Sequence, residues 1–195
     1  MNASTRFGLN RRFRLFASAL AGASLLIGRT TAARAQDPEP VEPHKYDVRV
    51  GAFFPTQGVL RGQSGSPYYV IGGDYNPNFR YKPAGGNVFF SVDFKFRSSG
   101  GLGFLTIPLT ANIAWNLTPA TSQFRLWAGL GGGVYFINTG FIGGTTQAGG
   151  RFFVGADITD RYFLQLDYDW VGGFTDNRGN GVRVDGLTFS AGRRF

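Results

Sequence analysis

The chain has 195 residues and no cysteine, with 30 glycines, 16% aromatic residues and 16% charged residues. That length suits one domain, the missing cysteines exclude a disulfide scaffold, and the charge content falls below the roughly 25% of ordinary soluble domains. The formal charge of +8 points to nucleic acid only until it is located: six of the 20 basic residues and none of the 12 acidic ones precede Gln36, which leaves the remainder near +2, too little for a polyanion-binding surface.

Met1–Ala35 reads as a secretory signal peptide. Arg6, Arg11, Arg12 and Arg14 form a basic head, Leu15–Ile27 is an apolar run short for a membrane helix, and Ala33-Arg34-Ala35 is an A-x-A cleavage site. Residues 36–45 follow as a Pro-rich, acidic periplasmic tether. From there the chain reads in twos, with no 3.6-period segment of useful length.

Eight alternating stretches are predicted as strands. Tyr46–Phe54 sets Val48, Val50, Ala52 and Phe54 against Arg49 and Gly51. Pro67–Tyr75 is apolar on both parities. Asn87–Arg97 sets Val88, Phe90, Val92, Phe94 and Phe96 against Phe89, Ser91, Asp93, Lys95 and Arg97. Phe104–Leu117 sets Leu105, Ile107, Leu109 and Trp115 against Thr106, Pro108, Thr110 and Asn112. Phe124–Ile137 sets Leu126, Leu130, Val134 and Phe136 against Trp127, Gly129, Gly131, Gly133 and Tyr135. Ala148–Ile158 sets Phe152, Val154 and Ala156 against Arg151, Phe153, Gly155 and Asp157. Tyr162–Val171 sets Tyr162, Leu164, Leu166 and Trp170 against Phe163, Gln165, Asp167 and Asp169. The last stretch, roughly Val184–Phe195, carries Leu187, Phe189, Ala191 and Arg193 on one face.

These stretches have the length of tilted membrane-crossing strands and are joined by Gly-, Asn-, Asp- and Pro-bearing connections. Long outer loops are expected at Gln57–Ser66, Asn138–Gln147 and Gly172–Arg183. Alternation alone fits an inside-out soluble binding barrel as well. Aromatic placement favours the membrane: Trp115, Phe124, Tyr162 and Phe195 fall near one set of strand ends, and Phe54, Phe96, Phe136 and Trp170 near the other. From Tyr162 to Trp170 the strand runs roughly 26 Å, and a tilt of about 40° turns this into about 20 Å of membrane between two aromatic girdles.

With VRVGAFFPTQG at Val48–Gly58, the pair Ile107–Leu117 and Phe124–Phe136, and GADITDRYFLQLDYDW at Gly155–Trp170, the chain resembles the small outer-membrane β-barrel family, the eight-stranded OmpA/OmpX-like superfamily. The resemblance implies an all-β, eight-stranded antiparallel up-and-down transmembrane barrel over 46–195, in the outer membrane of a Gram-negative-type bacterium. It further implies handling by periplasmic chaperones and the barrel-assembly machinery, with Phe195, Phe189 and Leu187 as the assembly signal. Arg193 departs from that signal, since an apolar residue is usual there.

The charged inward set, Arg49, Asp93, Lys95, Arg97, Arg151, Asp157, Asp167 and Asp169, is expected to form an ion-pair network in a filled lumen. Chemistry finds little support in the sequence. The single histidine, His44, lies in the tether, so no positioned imidazole serves a Ser-His-acid arrangement. No Cys or His cluster offers a metal site, and no cofactor is expected. Gly129–Gly133 matches a phosphate loop only in its glycines, because it lies within a strand and opens no helix. The expected function is a non-enzymatic envelope protein, structural or surface-contacting, with outer-membrane lipids as surroundings and a surface ligand unknown. The alternative is a narrow pore whose lumen charges set selectivity.

Overall fold

A computed structural model of the chain describes residues 44–79, 82–99, 102–119, 122, 124–140, 143–175, 179 and 181–195. The expected signal peptide and all but two residues of the expected tether lie outside the described residues.

The eight long strands are β1 (Tyr46–Pro55), β2 (Tyr68–Tyr75), β3 (Asn87–Ser99), β4 (Leu102–Asn116), β5 (Arg125–Thr139), β6 (Gly143–Asp157), β7 (Tyr162–Val171) and β10 (Gly186–Arg194). They close into one barrel in which sequential neighbours pair antiparallel and β10 returns to β1. The closing register runs from Asp47 opposite Arg194 to Pro55 opposite Gly186. Closure satisfies the backbone groups that an open sheet would leave unpaired at both edges. On β3–β4 the bridges lapse between the Val92–Leu109 pair and the Lys95–Thr106 pair. Pro108 lies opposite that gap, and proline has no N–H to donate.

The faces follow the alternation of the sequence. Val48, Val50, Phe54, Phe90, Leu109, Leu130, Phe152, Val154, Leu166 and Phe189 are exposed on the outside, while Arg49, Asp93, Arg151, Asp167 and Asp169 are buried inside. The inside-out arrangement of a soluble binding barrel is therefore not the one formed. β2, apolar on both parities in sequence, turns Tyr68, Val70 and Asp74 inward and Tyr69, Ile71 and Tyr75 outward.

Three expected loops contain regular structure. The first holds a short helix, α1 (Gly58–Ser64), which ends at Gly65 in the left-handed region, φ 72°. The stretch expected as the loop Asn138–Gln147 is mostly ladder, because β5 and β6 stay paired out to Thr139 opposite Gly143. Asn, Thr and Gln on both faces hid that extension, since neither parity was apolar. The last outer connection carries the two-stranded β8 (Phe174–Thr175) and β9 (Gly181–Val182).

Candidate functional site

An eight-stranded barrel leaves an interior that side chains can fill. Here the filling is layered along the axis, and each layer follows from which residues share the inward parity at that height.

The outer layer is apolar. Phe53, Tyr68, Val70, Phe104, Ile137 and Val171 come from the strand ends, and Leu60 of α1 joins them with Val182 and Val184 from the last connection. Polar bonds stitch the two connections together across the mouth. The Gln57 side chain donates to the Gly181 carbonyl at 3.0 Å and accepts from the Arg183 N–H at 2.5 Å. Thr56 N–H donates to the Asp185 carbonyl at 2.9 Å, and the Asp185 carboxylate accepts from Val171 N–H at 2.8 Å.

The middle layer is ionic. Asp93 bridges two guanidiniums, Arg49 Nη2 and Arg151 Nη2, each at 2.6 Å. Arg49 also pairs with Asp74. Arg151 Nε reaches Asp169 at 2.9 Å, the Tyr135 hydroxyl donates to the same carboxylate at 2.8 Å, and Lys95 completes it. Lys95 donates to Thr188 Oγ1 at 2.9 Å and lies 4.5 Å from the Phe53 ring centre, where the ionic layer meets the apolar one. Asp167 accepts from the Gln165 amide at 2.5 Å. Arg49 and Asp93 are 1% and 2% exposed, so each charge depends on these partners in place of water.

The inner layer is aromatic. Trp127, Phe153 and Phe163 pack edge-on with centroids 5.8 and 6.0 Å apart, against Phe89. Beneath them Arg194 pairs with Asp157 at 2.8 Å, and Asp157 accepts from Trp127 Nε1 at 2.9 Å. Glycines on the inward parity leave room for these rings. A Cβ at Gly129 would run into Phe153, at Gly155 into Trp127 and at Gly192 into Phe163.

Of the eight lumen charges expected from the sequence, Arg49, Asp93, Lys95, Arg151 and Asp169 come together, and Asp167 lies beside them. Two are placed differently. Arg97 is a correction: β3 carries it past the ionic layer to the outer rim, where it is half-buried and donates to the Pro67 carbonyl. Asp157 belongs to the inner end with Arg194. Asp74 and Tyr135 were missed as members. Asp74 lies in the stretch apolar on both parities, and Tyr135 follows Gly129, Gly131 and Gly133 on the same parity, so neither stands out as a partner of charge.

The girdle residues Phe54, Phe96, Phe124, Phe136, Tyr162 and Trp170 are exposed on the outside, and Trp115 is half-buried with its indole N–H donating to the Ala84 carbonyl at 3.1 Å. On β10, Leu187 and Phe189 face outward, and Phe195 is exposed just beyond the strand. His44 lies before β1, and among the described residues no His, Cys, Asp or Glu side chains are grouped as a metal ion would need.

No family model and no curated protein matches the chain. Solved structures with a similar fold include a major outer membrane protein from Thermus thermophilus, at 14% identity and TM-score 0.47, covering 77% of this chain and 99% of that one. Neisserial surface protein A gives 15%, 0.46, 77% and 95%, and the E. coli outer membrane protein W gives 18%, 0.44, 78% and 98%. At these identities the likeness concerns the fold.

Proposed function

We propose that the chain is a non-enzymatic barrel of the bacterial outer membrane, closed to solute flow, which stabilises the envelope or presents its outer connections for surface contact. The observation that carries this reading is the distribution of charge. Over all eight barrel strands the outward parity holds a single charged residue, Arg193, while the ionic groups turn inward and pair. A water-soluble barrel would have no means of covering that apolar girth, which far exceeds the few hundred Å² a soluble monomer tolerates. In a bilayer the same surface is matched to acyl chains.

Export through a cleaved N-terminal signal, and assembly through contacts at Leu187, Phe189 and Phe195, belong to the same proposal. Apolar layers above and below the ionic one favour a closed lumen, because ions do not cross a dry constriction unaided. The pore reading draws on the ionic layer itself, whose charges would set selectivity if water reached them. Planar bilayers containing the purified barrel discriminate. Silence is expected; large, stable open conductance would overturn the closed reading. Fractionation tests the membrane assignment, which a water-soluble, detergent-free folded monomer would defeat.

A further inference from the structure

Arg193 is the outward charge left over by the reading above. Beside it stands Lys45, exposed one residue before β1. Both lie at the barrel end where β1 begins and β10 ends, on the seam where β10 meets β1. Their surroundings are aromatic. The Arg193 guanidinium lies 4.8 Å from the Phe195 ring centre and 5.9 Å from that of Tyr162. Lys45 Nζ lies 5.5 Å from the Tyr46 ring and 6.0 Å from the Tyr75 ring, and those two rings stack at 5.5 Å. Phe195 joins the two cations, since its ring carries Arg193 and a main-chain carboxylate oxygen accepts from Lys45 N–H at 3.2 Å.

Among the described residues neither cation makes an ion pair. The neighbouring side-chain carboxylates are engaged elsewhere: Asp47 and Asp157 with Arg194, and Asp160 with Arg125. The same end opens onto an apolar groove of about 650 Å³ on the outer wall. The groove runs between two cross-strand rows of side chains, starting at Tyr46 and Val48 on β1 and reaching Gly132 and Val134 on β5. Its first wall is thus the pair of rings that carries Lys45.

We propose that this seam docks an anionic phospholipid, with Arg193 and Lys45 holding the headgroup phosphate and the groove taking an acyl chain. The inference rests on the membrane reading above. A lone outward arginine is costly near the bilayer midplane and tolerated at the interface, which is where its aromatic neighbours put it. With Asp160 engaged by Arg125 and Arg161 exposed beside the seam, the two unpaired cations leave a positive spot that a zwitterionic headgroup matches less well than an anionic one. The aromatic faces hold the cations in place without neutralising them, since a ring offers a quadrupole and no counter-charge. The apolar groove alone would accept any acyl chain. The cations at its mouth supply the selection.

The test uses the full chain folded in neutral detergent, with folding checked by heat-modifiable gel mobility. Phosphatidylglycerol and phosphatidylcholine of identical acyl chains are offered, and the bound lipid is counted by native mass spectrometry. The wild type is expected to favour phosphatidylglycerol by at least about fivefold, the scale of one basic residue at an anionic surface. Arg193→Ala combined with Lys45→Ala should bring the ratio near parity, while Arg193→Lys combined with Lys45→Arg should keep it. A folded double-alanine variant with the wild-type ratio would overturn the proposal. So would a variant that assembles slowly yet retains the preference, since the cations would then serve assembly. A chain that folds in water without detergent sinks the membrane reading, whereas a detergent-dependent barrel with no lipid preference sinks only this site.

Discussion

Asp93 is the residue on which the ionic layer turns. It holds one oxygen to Arg49 and the other to Arg151, so removing it strips a partner from two buried guanidiniums at once. Breaking a buried pair by deleting one member costs about 3–5 kcal/mol, because the remaining charge stays desolvated. Lys95→Met is a milder change. Its partner Asp169 keeps Arg151 and the Tyr135 hydroxyl, and the methionine fits against the Phe53 ring that Lys95 now covers. We expect Asp93→Ala to lower stability by about 3–5 kcal/mol and Lys95→Met by about 1–3 kcal/mol. Urea titration of the vesicle-inserted barrel, read by gel mobility, checks the order; equal losses would mean the bridge has no special weight. At this scale the sequence revealed which side charges would face, because Asp93, Lys95, Asp167 and Asp169 alternate with apolar neighbours on single strands. It did not reveal partners. Arg49 meets Asp93 across 44 positions and Lys95 meets Asp169 across 74, and which pairs share a height depends on the stagger of strands around the barrel, which no single strand encodes.

At the scale of elements, the seam between β10 and β1 is the contact with the greatest sequence separation, and it forms only when both ends of the barrel are present. Beyond the paired residues, Phe195 N–H donates to the Tyr46 carbonyl at 2.8 Å, and Lys45 N–H donates back to Phe195. Backbone bonds of this kind survive replacement of the side chain. The Phe195 ring itself is exposed to the outside and packs little against the barrel. Phe195→Ala is therefore expected to slow assembly several-fold in a reconstituted assembly reaction, while unfolding of barrels already inserted changes little. Equal loss in both measurements would reduce this residue to packing. While β2, apolar on both parities, showed alternation least, seven of the eight long strands were legible from it over nine or more residues. Helix α1 was not, since GVLRGQS offers only Val59 and Leu60 as apolar positions, with two glycines among seven residues. Its helical form comes with docking: Leu60 is fully buried in the mouth of the barrel, and its carbonyl accepts from the Tyr68 hydroxyl at 3.2 Å.

For the whole molecule, the three layers lie in series, and this changes what a single lumen substitution can do. The sequence suggested one ionic plug, and breaking one plug should open a path. The barrel instead places the ionic layer between an apolar layer at the mouth and an aromatic layer at the other end. Ions must pass all three, and the tightest barrier in a series sets the current. Arg151→Ala would loosen the middle layer only, with Asp93 still held by Arg49 and Asp169 by Lys95. It is therefore expected to remain silent in planar bilayers. Adding Trp127→Ala and Phe153→Ala should hollow the inner end and still give no steady current, because Leu60 and Val182 continue to seal the mouth. Conductance is expected only when Leu60→Ser and Val182→Ser are added to those changes, which lets water past the outer seal to the remaining ionic groups. Current from Arg151→Ala alone would show that the apolar layers are permeable, and the lumen would then have to be understood as a gated path for ions.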